Sequence, residues 1–107
     1  MIAQDQFFEQ KEDVIMGYYT NYTLIVTIED ESKYTKKDII AHLRRENEEA
    51  LRALDENGNA ANEAKWYKSD EDMIEFSKKY PNVIFILNQV GQDGDEFDNS
   101  FQNGAMN

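Results

Sequence analysis

SDEDMIEFSKKYPNVIFIL, residues 69–87, is the stretch that decides the fold. Its first half has a helical period. Met73, Ile74, Phe76 and Tyr80 fall on the inward side, and Asp70, Glu71 and Asp72 occupy the first turn, where carboxylates complement the helix dipole. Ser69 with Asp72 three residues later reads as a capping box. Pro81 stops the helix, because the residue before a proline avoids helical backbone angles. The period then changes to two over Asn82–Leu87. Val83, Phe85 and Leu87 face one side, and Ile84 and Ile86 the other. Both sides are apolar, as in a central strand or a sheet covered on both faces.

Upstream, Thr23–Ile28 predicts a strand with Leu24, Val26 and Ile28 on one side and Ile25 and Thr27 on the other. It ends in the charged turn Glu29-Asp30-Glu31-Ser32. Thr35-Lys36-Lys37-Asp38 forms another capping box and opens a helix to about Leu54. The apolar stripe of this helix is Ile39, Ile40, Leu43, Ala50, Leu51 and Leu54, with polar Asn47 in its middle. Gly58 suits the left-handed conformation near the helix end. Lys65-Trp66-Tyr67 predicts a brief strand. Downstream, Asn88–Gly94 reads as a polar turn, Phe97–Phe101 as a last strand returning antiparallel, and residues 105–107 as a fraying tail. Residues 1–15 form an arm, either a short helix packing Phe8 and Ile15 or a flexible segment, ahead of a domain at 16–104.

The predicted fold is a two-layer α+β sandwich in the order β-α-β-α-β-β, with two helices on one face of a small sheet. Ile25, Ile84 and Ile86 then line the other face, so either the arm or a partner covers them.

At 107 residues one domain is expected, and 12% aromatic content is enough to build its core. There is no cysteine, which removes disulfides, thiol nucleophiles and cysteine-type zinc sites. No apolar run approaches the roughly 18 residues of a membrane helix. The N-terminus is acidic and interrupted, unlike a secretory signal. A cytoplasmic domain is the expectation.

Charge carries more information. There are 22 acids and 11 bases, a net charge of −11, and the excess is segregated. Bases cluster at Lys36-Lys37 and Arg44-Arg45; after Lys79 there are only Asp93, Asp95, Glu96 and Asp98. Such a surface repels nucleic acid and anionic membrane and attracts basic protein surfaces. Glu29, Asp30, Glu31, Asp93, Asp95, Glu96 and Asp98 are the candidate contacts to a basic partner, and Ile25, Ile84 and Ile86 the candidate apolar interface.

No catalytic constellation stands out. His42 has only Asp38 nearby at i−4 and reads as a surface histidine. Asp55-x-Asn57-x-Asn59 opens like a calcium loop, but Ala60 and Trp66 stand where that loop needs Gly and Glu. Gly91-x-x-Gly94 opens no helix and lacks the lysine of a phosphate loop. The carboxylates of Asp93–Asp98 read as a solvated acidic loop. Weak calcium or magnesium binding there, with metal-assisted chemistry, is the enzymatic alternative. Trp66 and Tyr67 offer a base-stacking platform, against which core packing of Trp66 is the plainer reading. The expectation is a non-enzyme without cofactor or metal.

From Met16 the wording is familiar. Met16-Gly17-Tyr18-Tyr19-Thr20, Lys65-Trp66-Tyr67, Asp72-Met73, Phe76-Ser77, Tyr80-Pro81 and Val83-x-Phe85-x-Leu87 are followed by Asp95, Phe97, Phe101 and Asn103-Gly104. The pattern resembles a group of small, mostly uncharacterised proteins encoded by phages and mobile elements. This chain departs from the group's Gly-Glu-Gly-Glu turn at Asn88-Gln89-Val90-Gly91 and has Phe97 in place of a tryptophan. The resemblance implies a viral origin and a role as an inhibitor of host defence, of the anti-CRISPR or anti-restriction kind, in which carboxylates imitate nucleic-acid phosphates. The partner would be a basic, nucleic-acid-handling host protein in the host cytoplasm. The alternative is an oligomerising or docking protein acting through the apolar sheet face.

Overall fold

Pro81 divides a helix from a strand in the structure, a computed structural model that describes residues 19–29 and 33–107. Helix α3 (Ser69–Ser77) tightens at its end into bonds from Lys79 N–H to Phe76 C=O and from Tyr80 N–H to Ser77 C=O. Strand β2 (Val83–Gly91) follows. It lies between β1 (Thr20–Ile28) and β3 (Glu96–Gln102), and β4 (Ala105–Met106) completes an antiparallel sheet in the order β1-β2-β3-β4. Helices α1 (Lys36–Glu46) and α2 (Glu48–Ala53) lie between β1 and α3 in the chain. The architecture is α+β, with the core between the helices and one sheet face. The N-terminal arm, Asp30 and Glu31 lie outside the described residues.

The core is built as the alternation predicts. Tyr22, Leu24 and Val26 of β1 and Val83, Phe85 and Leu87 of β2 are buried with Phe101 of β3 against Ile39, Ile40, Leu43, Met73 and Phe76. Phe76 meets Phe85 edge-on at 5.7 Å between ring centroids. The Thr35 capping box forms in full: Thr35 Oγ1 accepts from Asp38 N–H at 3.2 Å, and Asp38 Oδ2 from Thr35 N–H at 3.4 Å.

Four local expectations change. The long helix breaks at Asn47, whose Oδ1 accepts from the N–H groups of Glu49 and Ala50 and so caps a new helix. A side chain able to replace backbone partners competes with helix continuation. Lys65-Trp66-Tyr67 is not a strand. Instead the Tyr22 hydroxyl accepts from Trp66 N–H and donates to Trp66 C=O, so the backbone there needs no strand partner. Ser69 is not a cap but the buried first residue of α3; the capping position is Lys68, which supplies no side-chain bond. The tail does not fray at its start. Asn103 and Gly104, at φ of 48° and 82°, make a tight two-residue turn, and β4 pairs with β3. Asn107 N–H then donates to Ser100 C=O at 2.8 Å.

The outer edge of β1 is covered by the loop after α2. Leu24 N–H donates to Gly58 C=O at 2.7 Å, and Thr20 and Ala64 exchange backbone bonds at 2.9 Å. A covered edge cannot template further strand pairing. Gly58 sits at φ 86°, and a Cβ there would fall 2.6 Å from the Leu24 carbonyl oxygen. Only glycine allows this close approach. Asp55 orders the same loop, its Oδ1 accepting from Asn57 and Asn59 N–H, which is a structural use of the calcium-loop look-alike.

Candidate functional site

The helices cover one face of the sheet, and the other carries the predicted apolar residues. Antiparallel register places Ile25 opposite Ile86, and Ile86 opposite Ser100. Ile84 lies opposite Thr27 in the adjoining row. Ile25 is 48% exposed, while Ile84 and Ile86, flanked on both sides by strands, are half-buried.

Two of the predicted acids share this face. Glu96 pairs with Val90, and Asp98 with Asn88, so both carboxylates rise beside the isoleucines. Asn88 sets their positions: its Nδ2 donates to Glu96 Oε2 at 2.9 Å and to Asp98 Oδ1 at 2.7 Å. One neutral amide thus holds two carboxylates side by side next to an apolar row. Sequence reading singled out the acids and the isoleucines separately. Their union depends on the register of β2 against β3, which sequence spacing does not reveal.

The remaining predicted acids are elsewhere. Asp93 and Asp95 are exposed in the loop joining β2 to β3. Glu29 follows the far end of β1, past the Ile28–Val83 pair, whereas Thr20 at the near end pairs with Gly91. Nine strand residues separate these ends, about 27 Å at a typical rise of about 3.3 Å. The acids therefore do not form one continuous strip.

His42 has more partners than its sequence neighbours suggest. Nδ1 lies 2.6 Å from the Tyr80 hydroxyl and Nε2 2.8 Å from Glu46 Oε2. A neutral ring with its proton on Nε2 satisfies both: Tyr80 O–H donates to Nδ1, and Nε2–H donates to Glu46. The ring also meets Phe76 and Tyr80 edge-on at 5.2 and 5.6 Å. The hydrogen bond from His42 holds the Glu46 carboxyl below its ordinary range. Burial raises the Tyr80 hydroxyl above its ordinary value, the reverse of what an activated nucleophile requires. Glu46 at i+4 was a visible partner for His42 in the sequence; Tyr80 was not. The trio fastens α1 to the end of α3.

Trp66 is core, not platform. It is 2% exposed, and its indole N–H donates to Asp72 Oδ2 at 2.8 Å. The same oxygen accepts from Asn47 Nδ2 at 2.9 Å, joining the helix break to α3. Tyr67 remains 62% exposed. Among the described residues no group of three or more acidic or histidine side chains has metal-site geometry, and no helix is long and apolar enough to cross a membrane. No protein-family model, curated protein or solved structure matches the chain.

Proposed function

We propose that this protein is a non-catalytic binding module that docks on a basic protein surface through the uncovered face of its sheet. The carrying observation is the tethering of Glu96 and Asp98 by Asn88 beside Ile25, Ile84 and Ile86. Apolar side chains with fixed acids at their border match a partner surface that is apolar at its centre and basic at its rim. A second copy of this chain is a poorer match, because each copy carries a net charge of −11 and self-pairing sets like charges together. The motif resemblance makes the reading concrete: the partner is a nucleic-acid-handling defence protein of a bacterial host, held where it would hold phosphates.

The test is capture from bacterial lysate by wild-type protein, Ile25→Glu and the pair Glu96→Gln with Asp98→Asn, each eluted by a salt step and read by mass spectrometry. A nucleic-acid-handling protein held by wild type, lost from Ile25→Glu and eluted at lower salt from the amide pair is expected. The same protein held equally by all three sinks the reading. Sedimentation velocity separates self-association: a dimer abolished by Ile25→Glu would transfer this face to a second copy.

A further inference from the structure

A second recess opens on the helix-bearing side, where the helices stop short of the β2–β3 loop. Its volume is about 320 Å³. Tyr22 and Trp66 line its inner part, and the exposed rings of Tyr67 and Phe97 its mouth. Gln89 also lines it. Gln89 is 8% exposed, yet its side-chain amide has no hydrogen-bond partner in the protein. A buried amide facing a recess without a partner is the mark of a site that expects a polar ligand.

The charge around the recess selects the ligand's sign. Asp70 and Asp95 contribute carboxylates. Asp70 Oδ1 accepts from Asn99 at 3.0 Å, which leaves its second oxygen for another donor. Lys65 is the one cation in the lining, and its ammonium sits 4.4 Å from the centroid of the Tyr19 ring, with no ion pair to Asp70 or Asp95. The start of α3 lends partial positive charge, which Asp70, Glu71 and Asp72 in its first turn offset. Phosphate-bearing ligands are disfavoured here, and cations are favoured.

We propose that this recess receives the guanidinium of an arginine side chain carried on a polypeptide. A guanidinium is planar and stacks on aromatic rings such as Tyr67 and Phe97, while its N–H groups donate to the Gln89 carbonyl oxygen and to carboxylates. Free arginine fits less well, because its own carboxylate meets the same acidic surroundings. The site lies on the opposite side of the sheet from the isoleucines and does not depend on the reading of that face.

The experiment is a titration of the ¹⁵N-labelled full chain with acetyl-Gly-Arg-Gly-amide, followed by NMR. Acetyl-Gly-citrulline-Gly-amide serves as the neutral isostere and acetyl-Gly-Lys-Gly-amide as the compact cation. Saturable shifts of the Gln89 side-chain amide and Trp66 indole are expected with the arginine peptide, with affinity about tenfold above the citrulline peptide. Tyr67→Ala and Phe97→Ala, at exposed positions, should each weaken binding severalfold with Tm unchanged. Asp95→Asn should reduce its salt dependence. Ile25→Glu should leave binding intact, which separates this site from the outer face. Equal binding of the citrulline or lysine peptide, shifts from inorganic phosphate instead, full binding by a Tyr67→Ala/Phe97→Ala double variant, or no saturable shift into the millimolar range would each overturn the proposal.

Discussion

The two faces of this sheet are written in nearly the same residues and behave differently. On the inner face Val26, Phe85 and Phe101 stand in register across three strands and are all buried. One residue along, on the outer face, Ile25, Ile86 and Ser100 stand in register, and Ile25 is 48% exposed. Side-chain chemistry does not separate isoleucine in a core from isoleucine awaiting a partner. What separates them is that α1, α2 and α3 all lie on one side, so only one face is closed from within the described residues.

The comparison breaks most sharply at Phe85. Phe85→Ala empties a fully buried position against Phe76 and should cost about 3–5 kcal/mol in urea unfolding. Ile86→Ala, its neighbour on the outer face, should cost about 1 kcal/mol. Similar losses at both positions would mean that the outer face is also a core.

The inner layer has a polar fastening as well. Asp72→Ala leaves the Trp66 indole N–H and the Asn47 amide unpaired and should cost about 1–3 kcal/mol, with a change in Trp66 fluorescence. At the sheet edge, Gly58→Ala combines a left-handed backbone with a Cβ 2.6 Å from Leu24 O, and a loss of about 1–2 kcal/mol is expected by thermal unfolding.

Alkali should act on the closed side alone. Burial raises the hydroxyls of Tyr22 and Tyr80 above 10.0. The folded state therefore holds these protons more tightly than the unfolded chain. Their contribution is intact below pH 10.0 and is lost as pH rises through their folded values. Urea unfolding followed across this range should show falling stability, with a shallower fall in Tyr80→Phe. An unchanged slope in that variant would show that Tyr80 carries no part of it. The smallest effect belongs to the open face: Ile25→Glu should change stability by no more than about 0.5 kcal/mol.

Much of the frame was legible. The change of period at Pro81, the faces of β1 and β2, the Thr35 cap and the left-handed backbone at Gly58 all follow from bonds and sterics within a few residues of each position. The misreadings share a cause. Asn47 looked like a polar interruption of one helix because its second partner, Asp72, lies 25 positions away. Trp66 looked like strand because Tyr22, which satisfies its backbone, lies 44 positions away. Of the candidate site, the acids and isoleucines were visible as two sets. The recess beside Gln89 was not visible, since its lining is drawn from β1, the segment before α3, α3 itself and the β2–β3 hairpin.

By itself the sequence determined the periodicities, the turns, the absence of cysteine chemistry and the excess of acid, because these depend on local backbone preference and on counting. Only the tertiary structure decided which isoleucines stay open, that Asn88 joins two acids beside them, and that one buried amide lacks a partner. Those properties depend on strand register and on which side the helices pack, and both are settled by contacts between residues far apart in the chain.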